Sequence, residues 1–254
     1  MFTFGYVVIG VNVFFVIVGS TDTSLSNFGK CISSSSNWFF WSYLLLFILS
    51  PALNAFVEFN SEKSCRYSLI GFFTYQSLCS WILSLVSDFK IGFSAVSFCG
   101  LYLTAQYLRR YSPSITRLSV KQHLMAICFW QFCILFCRLY EVPILGVRIG
   151  WYVSPFVIMM AIHVLLIFSK IKFQSRWINF LAGSSFTVYL FHTHSLIFYN
   201  FYKSSIRDAF NNYDGVYALG LIVLIITITY ALGVAIDQPR KFLWKLIQKY
   251  IPVL

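Results

Sequence analysis

The sequence predicts an all-α integral membrane protein, a bundle of about eight transmembrane helices with both termini cytoplasmic. Three observations lead there. The first is composition: of 254 residues, 59% are apolar, 20% aromatic and 11% charged. A soluble domain carries about 25% charged residues, so a soluble enzyme, a disordered chain and a nucleic-acid-binding protein are excluded. The second is the recurrence of apolar runs about 20 residues long, the length that spans a bilayer. The third is the placement of the cations. Formal net charge is +11, yet the 19 Lys and Arg are spread between apolar runs instead of clustering on one face.

The predicted spans are 2–19, 38–57, 69–87, 91–108, 123–140, 149–169, 177–202 and 216–236. No cleavable leader is expected, because MFTFGYVVIG has no basic start and no small-residue cleavage site follows it. Ser33-Ser34-Ser35-Ser36 reads as a short outer loop, and Ser87-Asp88-Phe89-Lys90 as a hairpin between the third and fourth spans. The connections at 58–68, 109–122 and 170–176, with the tail from 237, carry 13 Lys and Arg. The alternate connections at 20–37, 88–90, 141–148 and 203–215 carry 5. The positive-inside rule puts the first group in the cytoplasm, and with it both termini. Arg138 stands near a span end, where its long stem can snorkel. Residues 1–254 form a single transmembrane domain. Its tail at 238–250 places Phe242, Leu243, Leu246 and Ile247 opposite cations, as an interfacial amphipathic helix on anionic lipid would.

Candidate chemistry concentrates in 183–202. A metal is not expected, since His192 and His194 stand about 200° apart around a helix. The seven Cys form no CxxC pair, so neither a zinc signature nor a disulfide framework is read. Ser185, Tyr189, His192, Ser195 and Tyr199 instead step by helical intervals into one polar and aromatic stripe. That stripe makes His192 the preferred catalytic candidate, with Tyr189 and Ser195 as substrate-binding partners, because an ionisable group inside a span marks function by default. The alternative is a neutral His packed on a Tyr or a backbone carbonyl. His194 is flanked by apolar helical neighbours. No Ser-His-Asp triad, nucleophile elbow or phosphate-binding glycine loop is present.

Two further groups carry charge. Glu141 and Arg148 share a short outer connection, where they could pair with each other or bind an anionic or sugar substrate beside Trp151 and Tyr152. The bland reading is an exposed loop with belt aromatics. Arg109 and Arg110, with Arg117 and Lys121, form the densest cytoplasmic patch. It suits donor phosphates, and it is also what positive-inside topology alone demands.

Several segments resemble the membrane-bound acyltransferase 3 family. Trp38-Phe39-Phe40-Trp41-Ser42-Tyr43 through Ser50-Pro51-Ala52-Leu53-Asn54 is similar to its W-F-x-x-x-Y…S-P-x-L-N signature. Gly92-Phe93-Ser94, Leu101-Tyr102-Leu103 and Tyr107-Leu108-Arg109-Arg110-Tyr111 look like a later segment of it. Gly183-Ser184-Ser185-Phe186-Thr187-Val188-Tyr189-Leu190-Phe191-His192 resembles its closing S-S-F-x-[IV]-Y-L-x-H motif. Ile236-Asp237-Gln238-Pro239-Arg240-Lys241 resembles the end of its last span. The resemblance covers most of 20–245 in the family's order.

It implies an O-acyltransferase of the bacterial cytoplasmic (inner) membrane. The donor would be acetyl-CoA. The acceptor would be a hydroxyl of a surface polysaccharide or lipid-linked sugar, as in O-antigen modification. It also implies that the family's first two spans, with the His that acts as base there, precede the spans present here. Other readings kept open are a non-catalytic remnant or partner subunit, and a small lipid-linked-sugar transporter. The transporter would show an internal repeat, and none is visible.

Overall fold

The computed structural model describes residues 2–17, 38–85, 89–142 and 148–250, excluding the side chains of Lys90 and Ser195. The serine-rich loop at 33–36, Ser87 and Asp88 of the predicted hairpin, and the 143–147 part of the outer connection lie outside them. Every regular element among the described residues is helical. The helices are α1 (Phe2–Ile17), α2 (Trp38–Phe59), α3 (Glu62–Gln76), α4 (Ala95–Tyr111) and α5 (Val120–Leu139), then α6 (Pro155–Lys170), α7 (Arg176–Ala182), α8 (Ser185–Thr193), α9 (Lys203–Asn212) and α10 (Gly215–Tyr250). Three of them, α2, α5 and α10, are long and apolar enough to cross a membrane. In α5 and α10 only 11% of the most apolar window is buried in the chain itself. Phe132 and Phe129 on α5 and Val223 and Leu224 on α10 point outward instead. Side chains of this kind have no stable place in water, and a bilayer is the solvent that accepts them.

The chain divides into two compact units, residues 1–37 with 174–254 and residues 38–173. The second unit contains α2 to α6. Its helix ends are written in the local sequence. Ser61 accepts from the Ser64 N–H and starts α3, so the charged stretch from Glu62 that was expected in a loop is helical. A capping box of Ser119 and Gln122 starts α5. Pro155 does not interrupt a span as its position in 149–169 implied. It stands in the first turn of α6, where its missing N–H costs nothing. Ser112 and Glu141 take left-handed backbone just past α4 and α5. α3 loosens after Gln76 into a π turn at Ser77–Ile82.

Within this unit α2 and α4 run parallel. Trp38 packs on Phe93 and Phe98 at one end, and Arg110 donates to the Glu58 carbonyl (3.1 Å) at the other. At that second end Tyr111 Oη donates to the carbonyl of Asn60 (2.7 Å), and Lys170 donates to that of Thr116 (2.6 Å). The cation-rich connections after α2, α4 and α6 therefore gather at one end. At the opposite end Trp81, Phe89, Ile134, Ile149 and Val153 form a buried cluster.

The first unit holds α1 and α7 to α10. Here the predicted 177–202 span is not one helix. It is interrupted at Gly183–Ser184 and again at His194, whose ψ of 130° is non-helical, before a π turn at Phe198–Tyr202. By contrast α10 is continuous for 36 residues, carrying the predicted last span and the basic tail on one axis with Pro239 inside it. Gly233 sits where α10 meets α8. A Cβ there would lie 2.9 Å from Val188 Cα, so only glycine allows this approach.

Candidate functional site

The break at His194 separates the two histidines that the sequence places two residues apart. His192 ends α8 half-buried, and its Nδ1 lies 2.9 Å from the Val188 carbonyl oxygen. A carbonyl only accepts, so Nδ1 carries a proton, and in the neutral ring Nε2 is the nitrogen with the free lone pair. The ring lies edge-on between Tyr189 and Tyr202, with centroids 5.9 and 5.5 Å away. Tyr202 also lines a cavity of about 570 Å³ with Phe198, Lys203, Ile206, Arg207 and Phe210. Two cations and three aromatic rings suit an anionic or sugar ligand. Lys203 and Arg207 went unremarked in the sequence beyond their count as outer-loop charges, although their helical spacing with Phe198, Tyr202, Ile206 and Phe210 was a signal that could have grouped them.

The expected stripe does not continue past His192. Ser195 opens a new helical turn after the break, and Tyr199 lies in the π segment, so neither keeps the register of Ser185 and Tyr189. His194, read from its neighbours as apolar packing, is 3% exposed, and its Nε2 lies 3.4 Å from Asn12 Nδ2 on α1. Its Nδ1 is buried with no partner. Asn12 received no role from the sequence. Its only signal was a polar side chain inside an apolar run.

Beneath α8 lies a polar network joining segments 50 residues apart. Asp237 is fully buried. Thr187 Oγ1 and Arg240 Nε both donate to its Oδ1. Lys241 Nζ stands 3.1 Å from Oδ2, in ion-pair contact though not in hydrogen-bond geometry, and donates to Ser184 Oγ at 2.8 Å. A buried carboxylate is tolerable only with such partners. The network holds the start of α8, and hence the direction in which His192 points.

The other candidates fall in the second unit. Arg148 binds backbone: its Nη1 donates to the carbonyls of Ile82 (2.8 Å) and Trp81 (3.4 Å), and Trp81 Nε1 donates back to the Arg148 carbonyl (2.9 Å). The guanidinium also lies 5.4 Å from the Trp151 ring. It closes the end of the π turn, and no ion pair with Glu141 forms. Glu141 is exposed at φ 46°, ending α5. Arg110 is engaged with Glu58 and the Tyr111 ring. Arg109 is exposed and makes no hydrogen bond or ion pair among the described residues.

One pair in this unit was missed altogether. His123 and His163 are 0% and 3% exposed, and their Nδ1 atoms are 2.9 Å apart. One ring must donate and the other accept, which leaves His123 Nε2 buried without a partner. The available signal was an ionisable group in each of two predicted spans, but which helix faces meet is not readable from spacing. No cluster of three or more metal-ligating side chains occurs among the described residues. Comparison of the chain with protein-family models, curated proteins and solved structures finds no match.

Proposed function

We propose that the chain is a multi-pass membrane O-acyltransferase that moves an acyl group, acetyl in the simplest case, from acyl-CoA to a hydroxyl of a surface polysaccharide or lipid-linked sugar. Eight spans with both termini cytoplasmic and residence in a bacterial inner membrane belong to the same proposal. The observation that carries it is how the family-like segments pair. Asn54 of the first accepts from Tyr102 Oη of the second at 2.7 Å. Ser184 and Thr187 of the third meet Lys241 and Asp237 of the fourth. Segments quoted only for their wording thus supply each other's hydrogen-bond partners, within one unit in each case.

In this reading the acceptor hydroxyl approaches His192 Nε2, which takes its proton in place of the first-span His that the resemblance implies. The oxygen attacks the thioester carbonyl, the C–S bond breaks, and CoA leaves as a thiolate that is reprotonated. Tyr189 and the Tyr202–Lys203–Arg207 cavity orient the acceptor. Removing a general base costs about 100-fold or more in rate. The test expresses the chain in cells with acetylatable surface polysaccharide and measures alkali-labile acetate. Acetate above the empty-vector level, lost in His192→Ala, is expected. No acetate above vector would sink the reading.

A further inference from the structure

Between the helix pairs α3–α4 and α5–α6 of the second unit runs an apolar groove of about 610 Å³. The two pairs are joined at both ends. Cys65, Tyr107, Leu108 and Leu166 close one end; Trp81, Phe89, Ile134 and Val153 close the other. The groove wall is drawn from helical repeats: Leu69 and Phe73 on α3 with Ser77 in the π turn after it, Thr104 and Leu108 on α4, Met159 and Ile162 on α6. Empty apolar volume forfeits dispersion contacts, and water finds few hydrogen-bonding partners here. From Arg66 to Leu78 the α3 wall rises about 18 Å at 1.5 Å per residue. One leaflet of hydrocarbon is about 15 Å deep, half of the bilayer core.

The mouth is cationic. Arg66 lines the groove itself and makes no hydrogen bond or ion pair among the described residues, its guanidinium resting 5.6 Å from the Tyr67 ring. The Glu62 carboxylate one turn earlier accepts from Tyr107 Oη at 3.4 Å, so it is engaged by the protein. Lys63, Arg109 and Arg117 belong to the connections gathered at this end.

We infer that this groove is a binding site for one acyl chain of an anionic glycerophospholipid, with its phosphate on Arg66 and its tail along α3 and α6. The α3 wall is about as long as one leaflet is deep, and Arg66, the only charged lining residue among those described, stands at the end where the cation-rich connections gather. The site is independent of the acyltransferase reading.

The test uses the whole chain in nanodiscs of mixed phosphatidylcholine and phosphatidylglycerol, ejected for native mass spectrometry. One phosphatidylglycerol retained per chain is expected, favoured over phosphatidylcholine by about fivefold, the worth of one basic side chain near an anionic surface. Arg66→Gln removes that preference. Ile162→Trp, which fills the groove, removes retention, whereas Leu224→Trp on the outward face of α10 leaves it intact. Equal retention of both lipids, or retention unchanged in both Arg66→Gln and Ile162→Trp, overturns the inference. So does displacement of the lipid by palmitoyl-CoA at equimolar amounts, which would make the groove a donor site. Loss of acetyl transfer has no bearing on any of these readouts.

Discussion

Asp237 is the residue whose environment is most completely specified, and it yields the plainest prediction. Its carboxylate is buried beside Thr187, Arg240 and Lys241. Replacing it by Asn leaves two cations facing a neutral group, and breaking one member of such a buried set costs about 3 kcal/mol. Asp237→Asn is therefore expected to lower the midpoint of thermal unfolding in detergent and to lower acetyl transfer with it, because α8 loses its anchor. His192→Ala should behave differently, abolishing transfer at an unchanged melting midpoint. Equal melting losses in the two variants would make His192 a packing residue. Arg148 belongs with Asp237. Arg148→Ala strips donors from the Trp81 and Ile82 carbonyls, at about 1–3 kcal/mol, and is expected to destabilise the chain without altering the affinity for any acceptor. A raised acceptor KM at full stability would instead return Arg148 to substrate binding.

At the scale of the element, the contact of α8 with α10 rests on one missing side chain. Gly233→Leu must force the helices apart at Val188, whereas Gly220→Ala on the same helix meets nothing within 4 Å. The first should lower the melting midpoint by several degrees and the second should leave it or raise it, since alanine is the better helix former. Glu141 offers the reverse experiment. A non-glycine residue at φ 46° beyond a helix end stores backbone strain, so Glu141→Gly should stabilise by about 0.5–1 kcal/mol in thermal unfolding. These elements were legible to different degrees. The caps at Ser61 and Ser119 are written locally, and apolar runs mark α2, α5 and α10. The interruption at His194 was not legible, because the 183–202 run has the composition of a continuous span. At the break His194 is buried beside Asn12, more than 180 residues away in the chain, a contact that local sequence does not show.

For the whole molecule the membrane arrangement makes one clear prediction. Alkaline phosphatase fused after Ser64 should be inactive, held on the cytoplasmic side. The same reporter fused after Asn211 should be active. The reverse pattern, or activity at both points, would refute the eight-span topology. The two connections each carry two cations and two carboxylates, so the contrast rests on the groups they belong to, 13 Lys and Arg against 5, and the first of them lies at the end of its unit where Lys170, Arg110 and Tyr111 hold neighbouring turns together.

Composition and the length of the apolar runs alone determined that the chain is helical and has segments able to cross a bilayer. Hydropathy is a sum over neighbours in sequence and needs no partner. The wording of four segments likewise singled out Ser184, Thr187, Asn54 and Asp237 as parts of family-like motifs before any contact was known. Only the tertiary structure decided that Asn54 answers Tyr102, that Asp237 answers Thr187, and that His123 meets His163. It also placed Arg148 and Arg110 against backbone carbonyls. Each of these depends on which faces of distant helices meet. A helix presents a new side chain every 100° or so, and an offset of one residue brings a different set into contact.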